Sequence, residues 1–349
     1  MSEHILFEEK SGLGIITLNR PHVLNALSTS MCSILDNQLK AWEENASVKA
    51  VLIKGAGGKA FCAGGDVRAI VEQGYENNSL APEFFSTEYK MNARIYHFNK
   101  PFIALLNGIT MGGGVGVSIH GSHRIVTENT LFAMPESAIG LIPDVGGSYF
   151  LPRLPGALGL YLGLTGARLK GSDILYAGIG TAYMSAEKLP DLIETLIEED
   201  ITGHDDVDRI IARYAEDPGA SSLDEFRDLI DAAFSENTVE DIFDHLSIID
   251  HNWAGETLAV LKKMSPISLK VITEQLFRGA KLEFDDCMKM EFRIVYAISS
   301  YDSDFYEGVR AVLIDKDHSP NWMPSTLDQV TTEMVLAHFN IPAVGDLSL

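Results

Sequence analysis

Cysteine is scarce in this chain: Cys32, Cys62 and Cys287 are the only three, and they lie far apart. That excludes a disulfide framework and a cysteine-based zinc site, and it points to reducing surroundings. No uncharged apolar run approaches the length of a bilayer span, so no transmembrane helix is expected. Cations are also few. Lys and Arg total 27 against 49 Asp and Glu, a net charge of -22. Such a balance lacks the cationic contacts that duplex nucleic acid or an anionic membrane surface demands. The first residues, Met1-Ser2-Glu3-His4, form no basic and apolar leader. With the cysteine usage, this makes a cytoplasmic protein the expectation.

Several catalytic signatures are missing as well. Gly55-Ala56-Gly57-Gly58-Lys59 fails as a phosphate loop, because Ile53 stands where the first glycine belongs and Ala60 where Ser or Thr belongs. Lys59 reads as an exposed loop lysine. His120 and His123 lack the spacing and the third ligand of a metal site. No Gly-x-Ser-x-Gly elbow exists, so a serine triad has no support. Cys62, beside a glycine cluster, reads as a small buried residue rather than a reactive thiol.

What is present is a chain of 349 residues, 46% hydrophobic, enough for a large core. Residues 5–8 and 14–19 read as paired strands with Ser11-Gly12 at the turn. Ser28 caps a helix running to about residue 46, with Met31, Ile34, Leu35, Leu39 and Trp42 on one face. Residues 50–53 and 101–106 read as buried strands, and 123–127 and 131–133 as shorter ones. Helical patterns cover 66–76, 83–98 and 112–120. Strands and helices thus alternate through about residue 165, the pattern of an α/β fold. From 171 to 314 nearly every segment has helical periodicity. We therefore expect a core over residues 1–200 and a mainly helical C-terminal region over 201–349, packed on that core. The acidic stretch 194–244 reads as a solvated helical face.

Two glycine clusters and a carboxylate pair carry the chemistry. Ala63-Gly64-Gly65-Asp66 and Gly112-Gly113-Gly114-Val115-Gly116 each follow an apolar strand and precede a helix. Glycine lets backbone approach a ligand closely, and two such segments can each offer an N–H to one developing oxyanion. Glu136 and Asp144, eight residues apart, sit among Phe132, Ala133, Met134, Pro135, Ile139, Leu141, Ile142 and Pro143. That apolar setting predicts partial burial and raised pKa values. A carboxylate so placed can act as base or nucleophile, which together with the glycines points to acyl chemistry.

These residues resemble the crotonase (enoyl-CoA hydratase/isomerase) superfamily and, within it, the 3-hydroxyisobutyryl-CoA hydrolase branch. The likeness runs through Asn19-Arg20-Pro21, Phe61-Cys62-Ala63-Gly64-Gly65-Asp66, Asn107 to Gly116, Phe132-Ala133-Met134-Pro135-Glu136 and Phe150-Leu151-Pro152-Arg153-Leu154. It resumes at Asp304-Phe305-Tyr306-Glu307-Gly308-Val309-Arg310-Ala311 and Asp315-Lys316-Asp317. The resemblance implies a spiral of ββα units with a C-terminal helical region, and acyl-CoA as ligand class. It places the oxyanion hole at the N–H groups of Gly65 and Gly113, the reactive carboxylate at Glu136 and the second carboxylate at Asp144. Glu88, in Phe84-Phe85-Ser86-Thr87-Glu88-Tyr89, corresponds to a substrate-pocket acid.

Gly116 is the informative departure. Hydratases of the superfamily carry a second catalytic glutamate there, whereas thioester hydrolysis needs an oxyanion hole and one carboxylate. The expectation is a hydrolase of 3-hydroxyisobutyryl-CoA in valine catabolism, in which Glu136 either attacks the carbonyl or activates water. Asp144 would orient the substrate's 3-hydroxyl. No metal or resident cofactor is implied, since CoA arrives with the substrate, and a homo-oligomer is compatible with the sequence. The rivals are a hydratase or isomerase on the same fold and a non-catalytic acyl-CoA-binding protein.

Overall fold

Apolar runs in the first half of the chain become parallel strands. In the computed structural model, which describes residues 3–74, 79–300 and 302–349, Val51, Leu52, Ile53, Ile103 and Ala104 are wholly buried. A strand covered on both faces has this composition.

A strand–strand–helix unit repeats three times. Ala50–Gly55 leads to Ala60–Cys62 and then to helices Val67–Gly74 and Leu80–His97. Phe102–Leu106 leads to Ile109–Met111 and the helical turn Gly113–Gly116, and His123–Val126 leads to Leu131–Ala133 and the 3-10 turn Glu136–Ile139. The first strand of each repeat enters one sheet and the second strand enters another. The larger sheet runs Ile5–Lys10, Leu13–Leu18, Ala50–Gly55, Phe102–Leu106, His123–Val126, Ala182–Tyr183, and the smaller runs Ala60–Cys62, Ile109–Met111, Leu131–Ala133, Leu169–Lys170. All pairings are parallel except the opening hairpin and the last pair of the smaller sheet. This is the ββα spiral that the resemblance implies.

The chain forms two compact units, each discontinuous in sequence. One comprises Met1–Gly65, Lys90–Ala133 and Arg168–Asp224; the other comprises Asp66–Tyr89, Met134–Ala167 and Glu225–Leu349. Helix Leu80–His97 passes from the second unit to the first between Tyr89 and Lys90. The boundary at residue 200 read from the sequence is therefore not where the compact units divide. Composition changes along the chain, but a spiral returns each segment to earlier neighbours, so compactness follows the winding.

The first unit holds both sheets. Leu13, Ile15, Leu52, Ile103, Leu105 and Ile125 form one core with Leu192, Leu196, Val207 and Ile210 from helices Leu189–Glu198 and His204–Ala212. The second unit is helical. Pro266–Gly279 buries Leu269, Val271, Ile272 and Leu276, and Phe284–Ile298 buries Cys287, Met288, Ile294 and Val295.

Ser28 caps helix Thr29–Glu44 through its hydroxyl, as the sequence predicts. The helix expected over 66–76 is seen as Val67–Gly74, and its last two positions lie outside the described residues. Short strands Ala60–Cys62, Ile109–Met111, Leu169–Lys170 and Ala182–Tyr183 were not expected, because two or three residues carry no readable period. The helix expected over 112–120 shrinks to Gly113–Gly116; glycine resists helix propagation. Among the described residues, no helix is long and apolar enough to cross a membrane.

Candidate active site

The two glycine clusters come together within the sheet unit. Strand Ala60–Cys62 pairs in parallel with Ile109–Met111, so the segments that leave them run side by side. Gly64, at φ 117, occupies backbone space that other residues resist. A carbon added at its Cβ position would lie 3.6 Å from the Gly113 nitrogen and 3.4 Å from the Met111 oxygen. The approach is closer still at Gly114, where a Cβ would sit 2.1 Å from the Cys62 carbonyl oxygen. Only a residue without a side chain fits there. Leu27 ties the first segment down by donating its N–H to the Gly64 carbonyl at 2.8 Å. Gly65 and Gly113 are thus neighbours on adjacent backbones, and Gly113 opens the helical turn whose first N–H groups have no intrahelical acceptor. Gly116 is buried in that turn.

The three candidate acids come together within the helical unit. Glu136 begins the turn Glu136–Ile139, and Gly140 closes it at φ 68 with Leu141 N–H bonded to the Glu136 carbonyl at 3.0 Å. Its carboxyl is buried, and Oε2 has no hydrogen-bond partner. Asp144 is 4% exposed and accepts a 2.7 Å hydrogen bond from the Tyr89 hydroxyl on Oδ2. Glu88, next to Tyr89 on helix Leu80–His97, is 2% exposed, and its Oε1 is also without a partner. Buried carboxyl oxygens are normally satisfied, so these two have capacity to bond a ligand's polar groups.

The loop that carries Asp144 is held in a costly shape. Val145 sits at φ 51, a left-handed backbone that is a true outlier for a β-branched residue, and Gly146 follows at φ 89. Glu291, wholly buried on helix Phe284–Ile298, secures the loop from another element. It accepts from Gly146 N–H at 2.8 Å, from Ser148 N–H at 2.9 Å and from the Ser148 hydroxyl. Gln275 donates to the Pro143 carbonyl at 2.8 Å. Gly279 lets its helix end lie against the same segment, since a Cβ there would fall 2.0 Å from the Ser148 carbonyl oxygen.

Burial sets the electrostatics. It pushes Glu136 well above the usual carboxylate range, and the Asp144 charge adds to the effect. Glu88 is raised well above its ordinary value by burial, then by Asp144 and Glu136. Burial lifts Asp144 to about 7, against the Tyr89 hydrogen bond, which lowers it. Glu291 is lifted to about 8 by burial and by Asp144, against the donors of Ser148 and Gly146. Asp144 and Glu291, at about 7 and about 8, exchange protons near neutrality, which general acid–base chemistry requires.

The sequence reading placed Glu88, Glu136 and Asp144 in one site, and the fold of this unit does bring them together. It missed Tyr89 and Glu291. Glu291 had a signal, because it lies on the same helical stripe as Cys287, Ile294 and Ile298, where an unpaired acid is out of place. Cys62 is buried, Lys59 is exposed, and His123 joins Ser122 and Asp208. Among the described residues, no group of three His, Cys, Asp or Glu side chains is placed to hold a metal ion.

Comparison with known proteins extends this picture over the whole chain. The model of the enoyl-CoA hydratase/isomerase family matches residues 13–339. The chain is 46% identical to the mitochondrial 3-hydroxyisobutyryl-CoA hydrolase of Homo sapiens, over 99% of this chain and 91% of that one. It is 48% identical to the mitochondrial enzyme of the same name from Xenopus laevis, over 96% and 88% respectively. Among solved structures, a carnitinyl-CoA dehydratase from Mycobacterium thermoresistibile is similar with TM-score 0.92 and 40% identity, covering 99% of each chain. An enoyl-CoA hydratase from Rhodobacter sphaeroides follows with TM-score 0.91 and 36% identity, over 99% of this chain and 100% of that one. One expectation is corrected here. The hydrolase relatives are named as mitochondrial, which overturns the cytoplasmic reading. Free cysteines separate reducing from oxidising surroundings and cannot separate one reducing compartment from another.

Proposed function

The chain belongs to the enoyl-CoA hydratase/isomerase family, and on that premise we propose that it hydrolyses acyl-CoA thioesters, with 3-hydroxyisobutyryl-CoA as its substrate. The observation that carries this reading is the near-full-length similarity, at 46% and 48% identity, to relatives named for that reaction. Gly116 supports it, because the position supplies no acid for hydration.

The roles follow from the chemistry. The N–H groups of Gly65 and Gly113 stabilise the charge that develops on the thioester oxygen. In one route a Glu136 oxygen attacks the carbonyl carbon, the C–S bond breaks, and CoA leaves as a thiolate. Water then opens the resulting anhydride, releasing the hydroxy acid and restoring the carboxylate. In the other route Glu136 takes a proton from the water that attacks. Both routes need ionised Glu136, so its raised pKa predicts rates that climb with pH through its titration. Asp144 accepts the substrate's 3-hydroxyl, and Glu88 lines the acyl pocket. The chemistry calls on no metal and no resident cofactor; CoA enters with the substrate and departs as product.

A second reading, water addition to an enoyl-CoA or its reverse, is favoured by the solved structures described as a dehydratase and a hydratase. One assay separates the two. Short acyl-CoAs, among them 3-hydroxyisobutyryl-CoA and a trans-2-enoyl-CoA, are incubated with the protein while free thiol and enoyl absorbance are followed together. The expected result is thiol release, fastest from 3-hydroxyisobutyryl-CoA. Loss of enoyl absorbance without thiol would overturn the hydrolase reading.

A further inference from the structure

Asp144 faces acids from several directions. Glu88 comes from helix Leu80–His97, Glu136 from its own segment and Glu291 from helix Phe284–Ile298. Each disfavours a negative charge on Asp144 when it is itself ionised. Tyr89 is different. Among the described residues it is the one side chain hydrogen-bonded to the Asp144 carboxylate, at 2.7 Å, and its phenol stays a neutral donor through the working pH range. Its ring is wholly buried and fixed against Phe85, at 6.0 Å between centroids. Phe85 in turn packs on Phe305. A ring held this tightly delivers its hydroxyl to one point.

We infer that Tyr89 is a positioning residue for Asp144: its hydroxyl holds one carboxylate oxygen, favours the charged form of the group and turns the other oxygen to the 3-hydroxyl of the substrate. The inference rests on the reading of Asp144 as the partner of that hydroxyl. A purely structural tyrosine would need only some acceptor in the core. Here the acceptor is the acid assigned to select the substrate, and the donor is rigid. Without it, a carboxylate among three other acids would take up a proton and become a donor itself. Asp144 would then no longer offer the charged acceptor that a substrate hydroxyl pairs with.

The test removes one oxygen. Tyr89→Phe keeps the ring and its packing. On 3-hydroxyisobutyryl-CoA, the acid limb of kcat/KM should move up by about one pH unit, because the donor that favours ionised Asp144 is gone. At neutral pH the loss should be about fivefold, and smaller for the unsubstituted acyl-CoA of equal length. Adding Tyr89→Phe to Asp144→Asn should cost nothing further, since Tyr89 acts through Asp144. Site-specific 3-fluorotyrosine at position 89, a more acidic donor of nearly the same shape, should move the limb down instead. Equal losses on both substrates with an unmoved limb would overturn the inference. If the wild-type protein releases no thiol from any acyl-CoA, the hydrolase reading fails on its own account. The positioning role is then decided by the carboxyl 13C titration of Asp144 in wild type and Tyr89→Phe: an upward shift in the variant supports it, and an unchanged titration overturns it.

Discussion

In the sheet unit the groups assigned to the reaction are backbone N–H donors, at Gly65 and Gly113. In the helical unit they are side-chain carboxyls, at Glu88, Glu136 and Asp144. The two kinds are built at different costs. A backbone donor is fixed by the path of the chain, has no charge and does not titrate. Its cost is steric, because neighbouring backbones must approach more closely than any side chain allows, as at Gly114 against Cys62. A buried carboxyl has a cost that is electrostatic, seen in the raised pKa values of these three acids and of Glu291 beside them. The backbone donors should therefore fail under added volume at their glycines, and the carboxyl cluster under altered charge.

The largest effect expected is on the charge side. Glu136→Gln keeps shape and removes the base or nucleophile. Thiol release should fall about a hundredfold or more, the scale of a lost general base, while the thermal transition stays near that of wild type. A variant with near-normal turnover would remove Glu136 from the mechanism.

The volume side is tested by stability. Gly114→Ala forces a methyl group onto the Cys62 carbonyl, and overpacking of this kind costs about 1–3 kcal/mol. Gly255, in helix Asn252–Leu261 of the helical unit, has nothing beyond its own chain neighbours and helix backbone within 4 Å of its Cβ position. Gly255→Ala should accordingly stabilise, by about 0.5–1 kcal/mol. Denaturant midpoints of the two variants should move in opposite directions. Equal shifts would mean that the close approach at Gly114 is not what demands glycine.

The same contrast explains what could be read from sequence. Backbone donors leave a local mark, since Gly64-Gly65 and Gly112-Gly113-Gly114 are contiguous, and the strand-then-helix placement held. Glu136 and Asp144 share one apolar segment and were legible together. Glu88 was reached through the family resemblance. Tyr89 was not, although it is the next residue, because its meaning lies in a contact with Asp144 across the fold. Glu291 meets Gly146 and Ser148 from a helix formed far later in the chain. The three strand–strand–helix turns were partly legible. The long buried strands show their composition, whereas the two- and three-residue strands exist only because a neighbour offers a ladder.

A smaller effect separates the acids from one another. Asp144→Ala should harm the 3-hydroxyacyl-CoA more than the unsubstituted acyl-CoA of equal length. A substrate hydroxyl left unpaired in a dry pocket costs roughly 1–3 kcal/mol, a differential of about five- to 150-fold in kcat/KM. Equal losses on the two substrates would take the hydroxyl away from Asp144 and leave it general acid–base work alone.

The smallest effect concerns Glu291, and its sign depends on pH. Its carboxyl titrates near 4.5 when unfolded, and burial lifts it to about 8 in the fold. Below the lower value both states are protonated and the group imposes no penalty. Between the two values the unfolded chain ionises while the folded one holds its proton, so folding stability falls as pH rises. Glu291→Gln cannot ionise and removes that slope. The amide also brings an N–H toward the donors of Gly146 and Ser148, and a buried bond so lost costs about 1–3 kcal/mol. Near pH 5 the variant should therefore melt below wild type by several degrees, and near pH 8 the gap should narrow. Glu88, Glu136 and Asp144 remain, so some decline with pH persists in the variant. Thermal transitions of both proteins at pH 5 and pH 8 decide the matter. A gap that stays constant across that range would show that Glu291 matters for its hydrogen bonds alone, and that the electrostatic cost of the helical unit is carried by the other three acids.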